Sequence, residues 1–165
     1  MKKTAIFFGS TTGTTEDVAN RLAKMISADV YNVKDNPADK FPEYDVLILG
    51  TSTWGIGELQ DDWYDFLPNL EKADLSNKKV AIFGVGDSMG YPDSFVDAMR
   101  ILYDIVVEKG CEIVGMTKTD GYDFDFSTSV LNDRFVGLAI DEDNENSMTE
   151  ERLTNWVEQL KAELK

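Results

Sequence analysis

The sequence has no histidine and a single cysteine, Cys111. Those shortages remove the usual ligands of zinc and haem, and one cysteine closes no internal disulfide. Cys111 stands just ahead of the apolar pair Ile113-Val114, which reads as a packed position, not a reactive one. Basic residues are also scarce: 16 Lys and Arg face 31 Asp and Glu, a formal charge of −15. So acidic a surface repels nucleic acid and anionic membranes and attracts basic protein faces. No apolar run approaches the ~20 residues of a membrane helix, and Ala5-Ile6-Phe7-Phe8 is too short for a signal-peptide core. A cytoplasmic protein is expected, and the large net charge favours a monomer.

What is present is enough for one packed domain. The chain has 165 residues, 42% of them hydrophobic, with three Trp, which argues against disorder. Its opening stretch sets the pattern. The run Ala5-Ile6-Phe7-Phe8 leads into Gly9-Ser10-Thr11-Thr12-Gly13-Thr14-Thr15, and then Val18, Leu22, Met25 and Ile26 recur at helical spacing. A strand, a hydroxyl-rich loop and a helix aim free backbone N–H groups at an anion. This loop contains no Lys or Arg. Dipoles and hydroxyls would hold the anion, an arrangement suited to a fixed cofactor phosphate.

Further along, residues 29–33 read as a second strand and residues 36–44, with Pro37 and Pro42, as a turn-rich connection. Residues 45–50 and 79–85 have the continuous apolar character of strands buried on both faces. A helix is predicted from near Asp61, and another buries Phe95, Met99, Leu102 and Val106 before stopping at Lys109-Gly110. Strand character returns at 112–117 and 135–140, around a polar, aromatic, aspartate-rich stretch at 119–134. Ser147-x-x-Glu150 has the form of a capping box for a last helix burying Leu153, Trp156, Val157, Leu160 and Leu164. Five alternations of strand and helix predict a parallel sheet with helices on both faces. Ligands of such sheets bind beyond the carboxyl ends of the strands, where the loops after strands one, three and four meet.

Nucleotide motifs fail at those loops. A phosphate loop of the G-x-x-x-x-G-K-[ST] type fails here, since Thr14 stands five positions after Gly9, where the second glycine belongs, and no lysine follows. Gly84 and Gly86 begin a dinucleotide fingerprint, but Met89 occupies the third glycine position. A phosphorylatable receiver would need acids where the first strand ends in Gly9-Ser10-Thr11. The loops at 51–59 and 84–93 each set one large aromatic, Trp54 or Tyr91, beside glycines. Two such rings can sandwich a flat heterocycle. Gly55 and Gly57 allow a peptide between them to turn over at little cost.

Taken together, these residues resemble the flavodoxin family, specifically its long-chain branch. The family's phosphate-loop signature is met by Ile6-Phe7-Phe8, Ser10, Gly13, Thr15, Ala19 and Leu22. The similarity continues through Thr53-Trp54-Gly55-Ile56-Gly57-Glu58, Gly86-Asp87-x-x-Gly90-Tyr91, Thr119-Asp120-Gly121-Tyr122 and Phe135-Val136-Gly137-Leu138, essentially the whole chain.

The resemblance implies a single domain over 1–165: a doubly wound five-stranded parallel sheet of order 2-1-3-4-5, its fifth strand interrupted by a loop at about 119–134. It implies a non-covalent FMN with its phosphate on Ser10, Thr11, Thr12, Gly13, Thr14 and Thr15. Ser52, Thr53, Trp54, Gly55, Ile56 and Gly57 would meet the ring from one loop, and Val85, Gly86, Asp87 and Tyr91 from another. Thr14 and Ser94 stand where some relatives carry lysine and asparagine. The implied function is low-potential one-electron transport between semiquinone and hydroquinone, with the Gly55 carbonyl facing N5 of the flavin. Basic-faced redox proteins, such as a flavodoxin/ferredoxin reductase and an acceptor enzyme, are the implied partners. An FMN-dependent quinone or NAD(P)H reductase is the rival reading, and a flavin-free interaction domain of the same fold is another.

Overall fold

Alternation along the strands splits their side chains between two cores. In a computed structural model that describes residues 2–165, strand β1 (Thr4–Phe8) sends Ala5 and Phe7 to one face and Ile6 and Phe8 to the other. Strand β3 (Val46–Trp54) divides Leu47 and Leu49 from Val46 and Ile48, and β5 (Lys79–Val85) divides Val80 and Ile82 from Ala81 and Phe83. Because both faces are buried, these strands read as unbroken apolar runs. The helices α1 (Thr14–Ile26) and α5 (Thr149–Glu163) cover one face through Val18, Leu22, Ile26, Leu153, Trp156 and Leu160. On the other, α2 (Asp61–Lys72) and α3 (Ala98–Val106) contribute Trp63, Phe66, Leu70, Met99 and Leu102.

The main sheet follows the expected order. Strand β2 (Asp29–Asn32) lies beside β1, then come β3, β5 and β10 (Leu138–Ile140), all parallel. A two-residue strand β4 (Glu58–Leu59) folds back antiparallel on the end of β3. The position beside β5 is shared. Strand β6 (Glu112–Ile113) pairs with Lys79 and Val80, and β10 pairs with Phe83, Gly84 and Val85. Between them, residues 114–137 leave the sheet, a wider departure than 119–134. Strand character at 117 and 135 belongs instead to a separate antiparallel sheet of β7 (Thr117–Lys118), β9 (Arg134–Phe135) and β8 (Val130–Leu131). Tyr122, Phe124 and Phe135 from this excursion cluster around Phe95, with ring centroids 5.1–6.1 Å apart. The aromatic content of the stretch therefore seals the core beside α3.

Two helix starts differ from the sequence reading. Phe95 is buried but precedes α3, because Val96 adopts φ 49° and breaks the helical path before Ala98. Ser147 caps nothing: α5 begins at Thr149 after Met148, without a side-chain cap. The chain is already helical in α4 (Glu142–Glu145), whose N-cap Asp141 accepts from the Asn144 amide, and a 3-10 turn over Asn146–Met148 carries it onward. A new cap at Ser147 would cap a helix that has already started.

Candidate functional site

At the carboxyl ends of β1, β3 and β5, three loops surround a cavity of about 300 Å³. Its wall is formed by Thr12, Thr14 and Thr15 from the first loop, Ser52, Thr53, Trp54 and Gly55 from the second, and Val85, Gly86, Asp87 and Tyr91 from the third. Each was singled out from sequence. Asp143 of α4 completes the wall and was not. The sequence lacked any signal for it, since α4 is a four-residue helix with no apolar period.

The first loop is built to leave donors unspent. Gly13 stands at the start of α1 with φ 94°, and no side chain caps the helix, so its first-turn amides have no internal acceptor. The Ser10 Oγ accepts from the Gly13 N–H at 3.1 Å, which fixes the turn from inside. Thr11 accepts through Oγ1 from the Gln60 Nε2, at 3.2 Å. Ser10, Thr11 and Gly13 thus shape the loop rather than line the cavity. Thr15 is buried, and its Oγ1 has no hydrogen-bond partner. A buried hydroxyl without a partner is costly, and here it lies on the wall of a cavity at a helix N-terminus.

Gln60 was missed as well. Its Oε1 accepts from the Trp63 N–H and so caps α2, while its Nε2 reaches both Thr11 and Asp62. One side chain joins the start of α2 to the first loop. A Gln before Asp61-Asp62 gives little warning of this, because glutamine is an uncommon cap.

The second loop is a hairpin rather than an open loop. Thr53 and Trp54 extend β3 and pair with Leu59 and Glu58, and only Gly55-Ile56-Gly57 turn. Both glycines have positive φ, 50° and 83°, which L side chains rarely adopt. Ile56 and Gly57 form the tip and do not line the cavity; Ile56 is 87% exposed. Trp54 is partly exposed, with its Nε1–H donating to the Ser52 Oγ at 2.9 Å, and Tyr91 is exposed to a similar degree. Two large rings left in part to solvent at one cavity are unusual for a core and natural for a stacking site.

The third loop is tied to α4. Asp87 Oδ1 accepts from the Gly90 N–H and from the Asn144 Nδ2, both at 2.8 Å. Asn144 also donates to the buried Asp141, which in turn accepts from Ser88. The Asn144 bond, and then the Gly90 amide, hold the Asp87 carboxyl below its ordinary range. Asp143 moves the other way, raised by partial burial and then by the neighbouring Asp87 and Asp141. Among the described residues, no Lys or Arg lines the cavity.

A depressed carboxyl contributes stability that is present above its ordinary pKa and lost as pH falls through the depressed value. Asn144→Ala is therefore expected to move Asp87 protonation to higher pH, toward the ordinary value of about 3.9. The titration of the Asp87 carboxyl carbon by NMR measures it. An unchanged midpoint would mean that the Gly90 and Met89 amides set the shift without Asn144.

A family model described as Flavodoxin matches residues 6–156. Flavodoxin from Synechocystis is 44% identical over 165 residues, covering 98% of this chain and 97% of its own. The chain belongs to the flavodoxin family. Flavodoxin 1 of Salmonella typhimurium is 45% identical, with 99% of this chain and 96% of the relative covered. A Fusobacterium nucleatum flavodoxin, solved bound to flavin mononucleotide, superposes with a TM-score of 0.93 at 34% identity and 99% coverage of each chain. Flavodoxins are electron-transfer proteins that work with redox partners, so this chain is a carrier and not an enzyme. Cys111 fits that picture as a packing residue: it is half-buried, its Sγ contacts the Val106 carbonyl, and burial raises its thiol pKa. Among the described residues, no helix is long and apolar enough to cross a membrane.

Proposed function

We propose that the chain binds FMN non-covalently in this cavity and works as a low-potential one-electron carrier of the long-chain kind. The observation that carries the reading is one cavity joining an uncapped helix N-terminus, the orphaned Thr15 hydroxyl, and the two partly exposed rings Trp54 and Tyr91. When bound, FMN supplies reversible one-electron chemistry, and the protein decides which step is useful.

The residues divide the work. First-turn amides of α1, with the hydroxyls of Thr12, Thr14 and Thr15, bind the phosphate by dipoles alone. Trp54 and Tyr91 cover the ring and exclude water from its faces. The Gly55–Ile56 peptide, held in a turn by positive-φ glycine, could present its carbonyl to a bound ring, with Gly55 allowing it to turn over at little cost. Backbone at Gly86 and Asp87, in the cavity wall and braced by Asn144 and Asp141, would meet the edge of the ring. Carboxylates at Asp87 and Asp143, with no cation in the wall, make each added negative charge costly. With FMN bound, that wall would make the second electron the harder one to add.

The excursion at 114–137, with its own small sheet between β6 and β10, supports the long-chain assignment. The −15 charge supports basic-faced redox partners, drawn to the exposed ring edge by long-range attraction.

Stoichiometric FMN uptake followed by reductive titration tests the reading. Two resolved one-electron steps are expected; a single two-electron step overturns it. Electron transfer to a basic partner is also expected to slow steadily as ionic strength rises. A rate independent of salt in stopped-flow measurements would remove electrostatic steering from the account.

A further inference from the structure

Lys118 of β7 and Arg134 of β9 are register partners in the small antiparallel sheet. Two like charges directly opposite each other destabilise a strand pair. The chain has 31 acidic residues with which to neutralise them. Yet among the described residues the Lys118 ammonium has no partner, and Arg134 makes only a long 3.5 Å contact from Nη1 to the Met116 carbonyl.

A third cation stands beside them. Arg152 of α5 is nine-tenths buried, and its guanidinium lies over the Tyr122 ring, 3.9 Å from the centroid. Its Nη2 donates to the Gly121 carbonyl at 3.0 Å and lies 3.1 Å from Glu145 Oε1. Its Nη1 is buried without a hydrogen-bond partner. An unsatisfied buried guanidinium nitrogen is an expensive feature to keep.

All three line one cavity of about 580 Å³, together with Met116, Leu138 and Trp156. That volume is in the range of small-molecule sites, roughly 300–1,000 Å³. Glu163 is the sole acid in the wall and is already engaged, its Oε2 accepting from the Gly115 N–H and the Gln159 Nε2, each at 3.1 Å. No residue of this wall lines the cavity assigned to FMN.

We infer that this cavity binds a small organic anion. Its carboxylate or phosphate monoester group sits among Lys118, Arg134 and the free Nη1 of Arg152, and its apolar body rests on Met116, Leu138 and Trp156. Lys118 and Arg134 select the charge, since among the described residues neither has an acidic partner, whereas Arg152 is paired with Glu145 and offers a donor rather than net charge. The apolar wall selects an organic ligand over an inorganic ion.

Phenyl phosphate and benzoate, titrated separately into the FMN-saturated, 15N-labelled full chain, are suitable probes, with phenol as the neutral control. Trp156 lines the site, and its indole N–H, which donates to the Gly115 carbonyl at 2.8 Å, reports occupancy, whereas the Trp63 indole donates to Gly50 elsewhere. Saturable shifts at Trp156 and Gly115, absent at Trp63, are expected with one or both anions and not with phenol. The relative affinities of the two probes distinguish a phosphate from a carboxylate ligand. In the doubly substituted Lys118→Gln, Arg134→Gln protein, whose exposed side chains tolerate exchange, affinity is expected to fall at least about tenfold. Shifts that stay linear through the millimolar range, equal binding of phenol, or undiminished affinity in the double variant overturns the site.

Discussion

Gly9→Ala is expected to loosen both the fold and the cofactor loop. A Cβ at Gly9 would collide with the Gln60 side-chain oxygen and approach the Trp63 Cδ1 to 2.7 Å. Trp63 is fully buried, and its Nε1–H donates to the Gly50 carbonyl at 2.8 Å, so it cannot retreat. Gln60 must give way, and with it go the cap of α2 and the bond to Thr11. Overpacking of this kind costs about 1–3 kcal/mol. A chain of this length loses about 2–4 °C of melting temperature per kcal/mol. Circular dichroism on heating reads the first effect, and recovery of free FMN fluorescence during titration reads the weaker affinity. Adding Gln60→Ala to Gly9→Ala removes the collision with Gln60 but leaves the 2.7 Å approach to Trp63, so it is expected to restore part of the stability but not the affinity. A Gly9→Ala protein with an unshifted melting temperature would show that the Gln60 contact holds neither element.

This coupling was invisible in the sequence, and its invisibility has a cause. The strands were legible because β1, β3 and β5 are buried on both faces and therefore continuously apolar. The site was legible where backbone chemistry forces a residue type: an uncapped helix start after Gly13, positive φ at Gly55 and Gly57, rings beside them. Contacts such as Gln60 to Thr11, or Asn144 to Asp87, join side chains 49 and 57 positions apart, with no local period to mark them. Asp143 enters the cavity wall only because β10 runs alongside β5 and delivers α4 to the third loop. The 114–137 excursion was legible as an interruption but not in its extent. Strand propensity at 117 and 135 is real, and it is satisfied by β7 and β9 pairing with each other instead of with β5.

Thr15→Val is expected to move stability and affinity in opposite directions. Valine matches threonine in shape, so the packing of α1 against the sheet is preserved. The hydroxyl it removes is buried and has no partner among the described residues. Leaving such a group unmatched costs about 1–3 kcal/mol, and deleting it returns part of that to the FMN-free fold. The same hydroxyl is a buried cavity donor without a partner among the described residues, so the FMN phosphate loses a charge-assisted bond of about 1.5–3 kcal/mol, roughly a tenfold to hundredfold loss in affinity. Denaturant melts of the FMN-free variant and fluorescence titration with FMN measure the two sides. Riboflavin, which lacks the phosphate, is expected to bind the variant and the parent equally. A parallel loss of riboflavin affinity would trace the effect to the loop's packing, and a less stable FMN-free variant would show that the hydroxyl has a partner inside the protein after all. The opposed signs follow from one atom: Thr15 leaves the resting fold short of a hydrogen bond that the phosphate supplies.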